Sequence, residues 1–268
     1  MSAQLAPFPA AQRRAKPATI IAVASGKGGV GKTWFSATLA SAFGKAGRRA
    51  LLVDCDVGLA NVDVQLGVRP ESDLHAVVRG WMDLEAAISP IMGGPGRAGG
   101  FDIVAGHSGT GALAQISADE TLAVCQGVRR AAPHYDWVIL DLAAGLDPPT
   151  LRFARTGDRL ILVVTEEPTS LTDAYAFAKV MRLQQPDAKA PLVVVNMAET
   201  KAKGGRVFEQ FAGACEKYLG MRPELIGVIG RDARVPEAIR AQTPLLVRHP
   251  QAPALDDVGR IADALAGL

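Results

Sequence analysis

From residue 18 to the end of the chain, short apolar runs rich in β-branched residues alternate with longer stretches of helical periodicity. The runs at 19–24, 50–53, 101–104, 137–140, 159–164, 192–195 and 225–229 are mostly continuous rather than alternating. Strands of that kind are buried on both faces, as in a parallel sheet between helices. Helical patterns fall between them, at 33–45, 117–132, 172–185, 206–219, 236–241 and 255–268. The first stops at Gly47, a residue that ends helices readily. The second opens with Ser117-x-x-Glu120, the spacing of a capping box. Strand and helix in alternation predict an α/β fold: a doubly wound, mostly parallel sheet flanked by helices. Residues 18–268 read as a single domain. Residues 1–17 carry three prolines, three cations and no acid, and read as a flexible basic tail.

Composition narrows the function classes. The 268 residues are 49% hydrophobic and 21% charged, which excludes a mostly disordered chain and a coiled coil. A net charge of +2 imposes no nucleic-acid reading, and 5% aromatics argue against a base-stacking platform. No apolar run reaches the ~18 residues of a membrane span, and the N-terminus lacks the apolar core of a secretory signal. Cys55, Cys125 and Cys215 are isolated, so neither a structural zinc site nor a redox pair is expected, and a reducing cytoplasm is the simplest setting. The glycine-rich stretch 93–100 is followed by no helix start and reads as a flexible loop.

The chemistry begins where the first strand ends. Gly26-Lys27-Gly28-Gly29-Val30-Gly31-Lys32-Thr33 matches G-x-x-x-x-G-K-[ST], with a strand before it and a helical pattern after it. Glycines let the backbone bend so that successive N–H groups converge on phosphate oxygens. The helix N-terminus adds its positive end. Lys32 is placed to reach the β- and γ-phosphates and Thr33 to ligate Mg²⁺. Lys27 is surplus to that scheme. It would crowd Lys32 at its own phosphates, but it could cross a subunit interface to a nucleotide bound next door.

Three carboxylates accompany the loop. Asp54 and Asp56 stand at the C-terminal end of the run 50–53, and Asp141 at that of 137–140. In an open α/β sheet this edge is where ligands bind. Such residues often cap helices or shape turns. A Mg²⁺ ion and an attacking water are the alternative reason for charge at buried strand ends.

Lys27-Gly28-Gly29-Val30-Gly31-Lys32-Thr33 resembles the deviant Walker A motif of the MinD/ParA ATPases. The segment 52–63, Leu-Val-Asp-Cys-Asp-Val-Gly-Leu-Ala-Asn-Val-Asp, resembles their switch I, and 138–145 their Walker B and switch II. The likeness spans nearly the whole chain from residue 18. It implies ATP and Mg²⁺ as ligands and a homodimer in the ATP-bound state, with Lys27 reaching the partner's nucleotide. It assigns Asp56 to the attacking water, Asp54 to the outer shell of the metal and Asp141 to Mg²⁺ through water. It places Asn196 on the adenine edge, with Arg231 and Asp232 in the loop around the base. That loop has Gly230 where the family has proline. Asp147 holds the acidic position after the switch II glycine and is a secondary candidate.

Several branches share such a core. Isolated cysteines argue against the iron–sulphur carriers. The segment 255–268 has Asp256, Asp257 and Asp263 on its polar face and only Arg260 as cation. Anionic lipid repels such a face, so a core-packing helix is expected rather than membrane targeting by the C-terminus. Arg231, Arg234, Arg240, Lys201, Lys203 and Arg206 could form the DNA patch of a ParA-type protein that positions DNA or other cargo. Scattered cations in a near-neutral chain are more often solvated surface. The stretches 56–67, 143–145, 167–175 and 196–198 resemble the flagellar-number regulators FlhG/FleN. That branch implies the flagellar GTPase FlhF, flagellar switch proteins or a transcription activator as partner, with recruitment to a pole or membrane through it. The branch's N-terminal Asp-Gln-Ala-x-x-Leu motif keeps only its glutamine here, Gln12.

Overall fold

The computed structural model describes residues 17–56, 58, 60–106 and 116–268. The expected tail therefore lies outside the described residues, except for Pro17. So do Val57 and Leu59 of the switch I segment.

Eight strands form one sheet: β1 (Thr19–Ser25), β2 (Ala50–Cys55), β3 (Ser89–Ile91), β4 (Phe101–Val104), β5 (Trp137–Ala144), β6 (Arg159–Val164), β7 (Leu192–Ala198) and β8 (Glu224–Gly230). Their spatial order is β3-β4-β2-β5-β1-β6-β7-β8. All neighbours are parallel except β3 against β4. The seven expected strands are the parallel ones. β3 was hidden from the pattern because it is three residues long and carries Pro90, which an edge strand tolerates.

The helices are α1 (Lys32–Lys45), α2 (Val62–Leu66), α3 (Leu74–Val78), α4 (Ala118–Ala131), α5 (Pro148–Ala154), α6 (Pro168–Gln184), α7 (Lys201–Leu219), α8 (Arg234–Arg240), α9 (Leu245–Arg248) and α10 (Pro253–Ala266). Side-chain alternation along the strands divides the core in two. Leu51, Val53, Val138 and Leu140 meet α3 to α7 on one face. Ile21, Val23, Leu52 and Ile139 meet α1, α2, α8, α9 and α10 on the other. This is the doubly wound arrangement expected. The capping box forms at α4: Ser117 Oγ accepts from Glu120 N–H at 3.1 Å, and Glu120 Oε2 accepts from Ser117 N–H at 2.8 Å.

The stretch 93–100 is the turn between β3 and β4, with Gly94, Gly99 and Gly100 buried and Gly96, Arg97 and Ala98 exposed. A Cβ added to Gly44 in α1 would lie 2.3 Å from Gly100 O, so helix and turn touch backbone to backbone. On α10, Val258, Ile261, Ala262 and Leu265 are buried as expected, but Asp257 is buried with them. Its carboxylate accepts from Gly230 N–H at 2.9 Å and pairs with Lys201 and Arg260. It pins the end of β8 rather than belonging to a solvent face. No described helix is long and apolar enough to cross a membrane.

Candidate nucleotide and metal site

A cleft of about 850 Å³ opens at the C-terminal edge of the sheet, lined by the loop after β1, the start of α1, the segment after β2 and the start of α5. The loop is shaped by close approach. A Cβ on Gly26 would lie 2.2 Å from the backbone carbon of Asp173 in α6, so the loop is pressed onto that helix. Gly31, the N-cap of α1, has φ 84°, a left-handed value suited to glycine. No side chain caps α1 there. Its first N–H groups are therefore available to an anion at the helix's positive end.

Lys32 is buried, with Nζ 3.5 Å from Asp141 Oδ1. Ser36 Oγ donates to the same oxygen at 2.9 Å. Asp141 Oδ2 is buried and has no hydrogen-bond partner among the described residues. Beside it on the neighbouring strand, Asp54 pairs in register with Asp141 and points to the same face. Asp54 Oδ1 accepts from Asp56 N–H, and Oδ2 from the N–H groups of Asn61 and Val62, each at 3.1 Å. Burial first, and then the Asp141 carboxylate, push Asp54 up to about 7, against the lowering from its backbone donors. Of these two adjacent buried carboxylates, only Asp141 has a cation within ion-pair distance among the described residues, Lys32. A divalent cation at the unpaired Asp141 Oδ2 would relieve that deficit, so these residues fit Mg²⁺.

The expected residues separate into three groups. Lys27, Gly28, Gly29, Val30, Gly31, Lys32, Thr33, Asp56 and Asp147 line the one cleft. Asp54 and Asp141 are buried in the C-terminal halves of β2 and β5, each strand running on past the expected end. Asn196, Arg231 and Asp232 stand elsewhere. Asn196 lies inside β7, not after it, and is buried behind the loop. Its Nδ2 donates to Val30 O at 2.8 Å and its Oδ1 accepts from Met197 N–H at 2.9 Å. One Nδ2–H and the Oδ1 are thus engaged within the chain, which makes Asn196 a brace for the phosphate loop. Asp232 accepts from Arg234 N–H at 3.0 Å and Ala254 N–H at 3.4 Å, tying its turn to α10, while Arg231 is exposed. Neither lines the cleft.

Other site residues were not foreseen. Ser36 shares Asp141 with Lys32, and its spacing of four from Lys32 was the available signal. Trp34, Arg152 and Ile239 line the cleft from three different helices, which only the folded chain brings together. Lys27 donates to Glu167 Oε2 at 2.5 Å and to Thr169 Oγ1 at 3.2 Å within its own subunit.

Fold and loop together define a P-loop nucleotide-binding protein of the doubly wound α/β class. The CobQ/CobB/MinD/ParA nucleotide binding domain matches residues 21–245, and the chain belongs to that family. It is 35% identical to the antiactivator FleN of Pseudomonas aeruginosa over 238 residues, covering 89% of this chain and 82% of that protein. It is 28% identical to the flagellum site-determining protein YlxH of Helicobacter pylori, with 92% and 80% covered. Among solved structures, the septum site-determining protein MinD of Pyrococcus horikoshii, complexed with Mg-ADP, superimposes with a TM-score of 0.75 at 26% identity, covering 93% of this chain and 98% of that one.

Proposed function

We propose that this chain is an ATP-binding and slowly hydrolysing dimerisation switch of the MinD/ParA type that regulates flagellar number. The observation that carries the reading is the arrangement of Lys32, Ser36 and Asp141 beneath a glycine loop, with one carboxylate oxygen left unpaired for a metal. Mg²⁺ would supply charge neutralisation for the phosphates. Lys32 binds the β- and γ-phosphates, Thr33 and Asp141 hold the metal, and Asp54 fixes the segment that carries Asp56. Asp56 lines the cleft and orients the attacking water. Lys27 of each copy reaches the nucleotide of the other, so the site is complete only in the ATP-bound dimer.

The flagellar assignment is supported by FleN and YlxH, each matched over most of both chains. It makes a flagellar regulator the partner: FlhF, a switch protein or a transcription activator. The switch then works in the cytoplasm and reaches a pole or membrane through that partner. A DNA-positioning role has less support. Of the six candidate cations, Lys201 pairs with Asp257, Lys203 with Glu199 and Arg234 with Asp232, which removes them from a basic patch.

The test is sedimentation and ATP turnover of Asp56→Ala. The expected result is an ATP- and magnesium-dependent dimer that barely hydrolyses. A monomer at saturating ATP and magnesium overturns the switch, and turnover at the parent rate overturns the role of Asp56. Capture with this variant, comparing ATP with ADP, tests the branch. Flagellar basal-body proteins are expected, and chromosome-partition factors overturn the flagellar reading.

A further inference from the structure

We propose that Arg152 of α5 is a nucleotide-contacting residue that binds the γ-phosphate of the ATP held in its own subunit. The inference deepens the ATP-switch reading above and rests on it.

Among the described residues, three cations line the cleft: Lys27, Lys32 and Arg152. Two of them are already matched by acids, Lys27 by Glu167 and Lys32 by Asp141. The half-buried Arg152 guanidinium has no ion pair and no hydrogen bond among the described residues. A cation left unmatched on the wall of a cleft built for a polyanion is complementary to the ligand rather than to the protein.

The placement follows from the helix. α5 buries Thr150, Leu151, Phe153 and Ala154, which leaves Pro148, Pro149 and Arg152 to the cleft. A long side chain on a helix leans toward the N-terminus, over the residues three and four before it. For Arg152 these are Pro149 and Pro148. The turn into α5 is tied to the phosphate loop, because Gly145 N–H donates to Ser25 O at 3.1 Å. α1 packs on one face of the sheet and α5 on the other, as Phe35 and Phe153 show. The two helices therefore approach the cleft from opposite sides. Lys32 and the first N–H groups of α1 hold the triphosphate from one side. Arg152 meets its free end from the other, where the planar guanidinium fork matches two phosphate oxygens.

The experiment is titration calorimetry of the full chain with magnesium and either the β,γ-imido analogue of ATP or ADP. It is run with Lys27 intact and in the Lys27→Ala background, which keeps the chain single in the reading above. In both, Arg152→Ala should lower affinity for the triphosphate about tenfold and leave ADP unchanged. Arg152→Lys keeps the charge without the fork and should recover part of the loss. Arg155→Ala removes the same charge at the exposed end of α5, outside the cleft, and should change neither affinity. Equal losses for triphosphate and ADP mark Arg152 as merely structural and overturn the proposal, as does an unchanged affinity for the triphosphate. A loss seen only with Lys27 intact assigns Arg152 to the neighbour's nucleotide and overturns the contact within its own subunit. A parent chain that binds neither nucleotide overturns the reading beneath it.

Discussion

At the scale of single residues, the cleft holds its charges by unequal means. Lys32 is buried against one oxygen of Asp141, so its truncation leaves that carboxylate without a cation and the phosphates without their main donor. Lys32→Ala should cost about 2–3 kcal/mol of nucleotide binding, roughly a hundredfold, measured by titration calorimetry with ATP. Asn196 makes a sharper case. As a brace on Val30 O, it should lower ATP and GTP affinity alike, by about tenfold, when changed to alanine. Loss confined to ATP would return it to the adenine role that the family resemblance implies. Ser36, which donates to the oxygen that Lys32 approaches, should raise the KM for Mg-ATP when replaced by alanine.

At the scale of elements, what the sequence pattern could read depended on whether the cause was local. The capping box at the start of α4 was legible because both partners lie three residues apart. Ser117→Ala should destabilise the fold by about 1 kcal/mol in urea denaturation. Hydrogen bonding to Ser117 N–H, then to its hydroxyl, holds the Glu120 carboxyl below its usual value of 4.5. A lowered carboxyl stabilises the fold fully above 4.5 and loses that contribution as pH falls through its folded value. Glu120→Gln should therefore flatten the acid side of the stability profile and leave neutral pH less affected. The short helices α2, α3 and α9 left no periodic trace, because four or five residues complete too few turns for a stripe; α5 was missed as well, although α8, of the same length, was read. The edge strand β3 was lost for the same reason.

At the scale of the whole molecule, the sheet order decides where chemistry can occur. β1, β2 and β5 are central neighbours, so the phosphate loop, Asp54 and Asp141 end at one edge. The two layers of helices leave that edge open as the cleft. If catalysis needs a second copy, turnover per subunit should rise with protein concentration and reach a plateau. A rate per subunit independent of concentration across the dimerisation range would refute shared sites.

The sequence by itself determined the class of fold and the glycine loop after its first strand, and singled out Lys32, Thr33, Asp56 and Asp141 as candidates. Each of these is set by a short run of neighbouring residues: apolar continuity, glycine spacing, or a carboxylate at the end of a strand. Only the tertiary structure decided which groups spend their hydrogen-bonding capacity elsewhere. Asn196 closes on Val30, Asp232 on Ala254, Asp257 on Gly230, and Lys27 on Glu167, across separations of 166, 22, 27 and 140 residues. Pairings that distant are fixed by the order of strands and the packing of helices, and no local pattern encodes them.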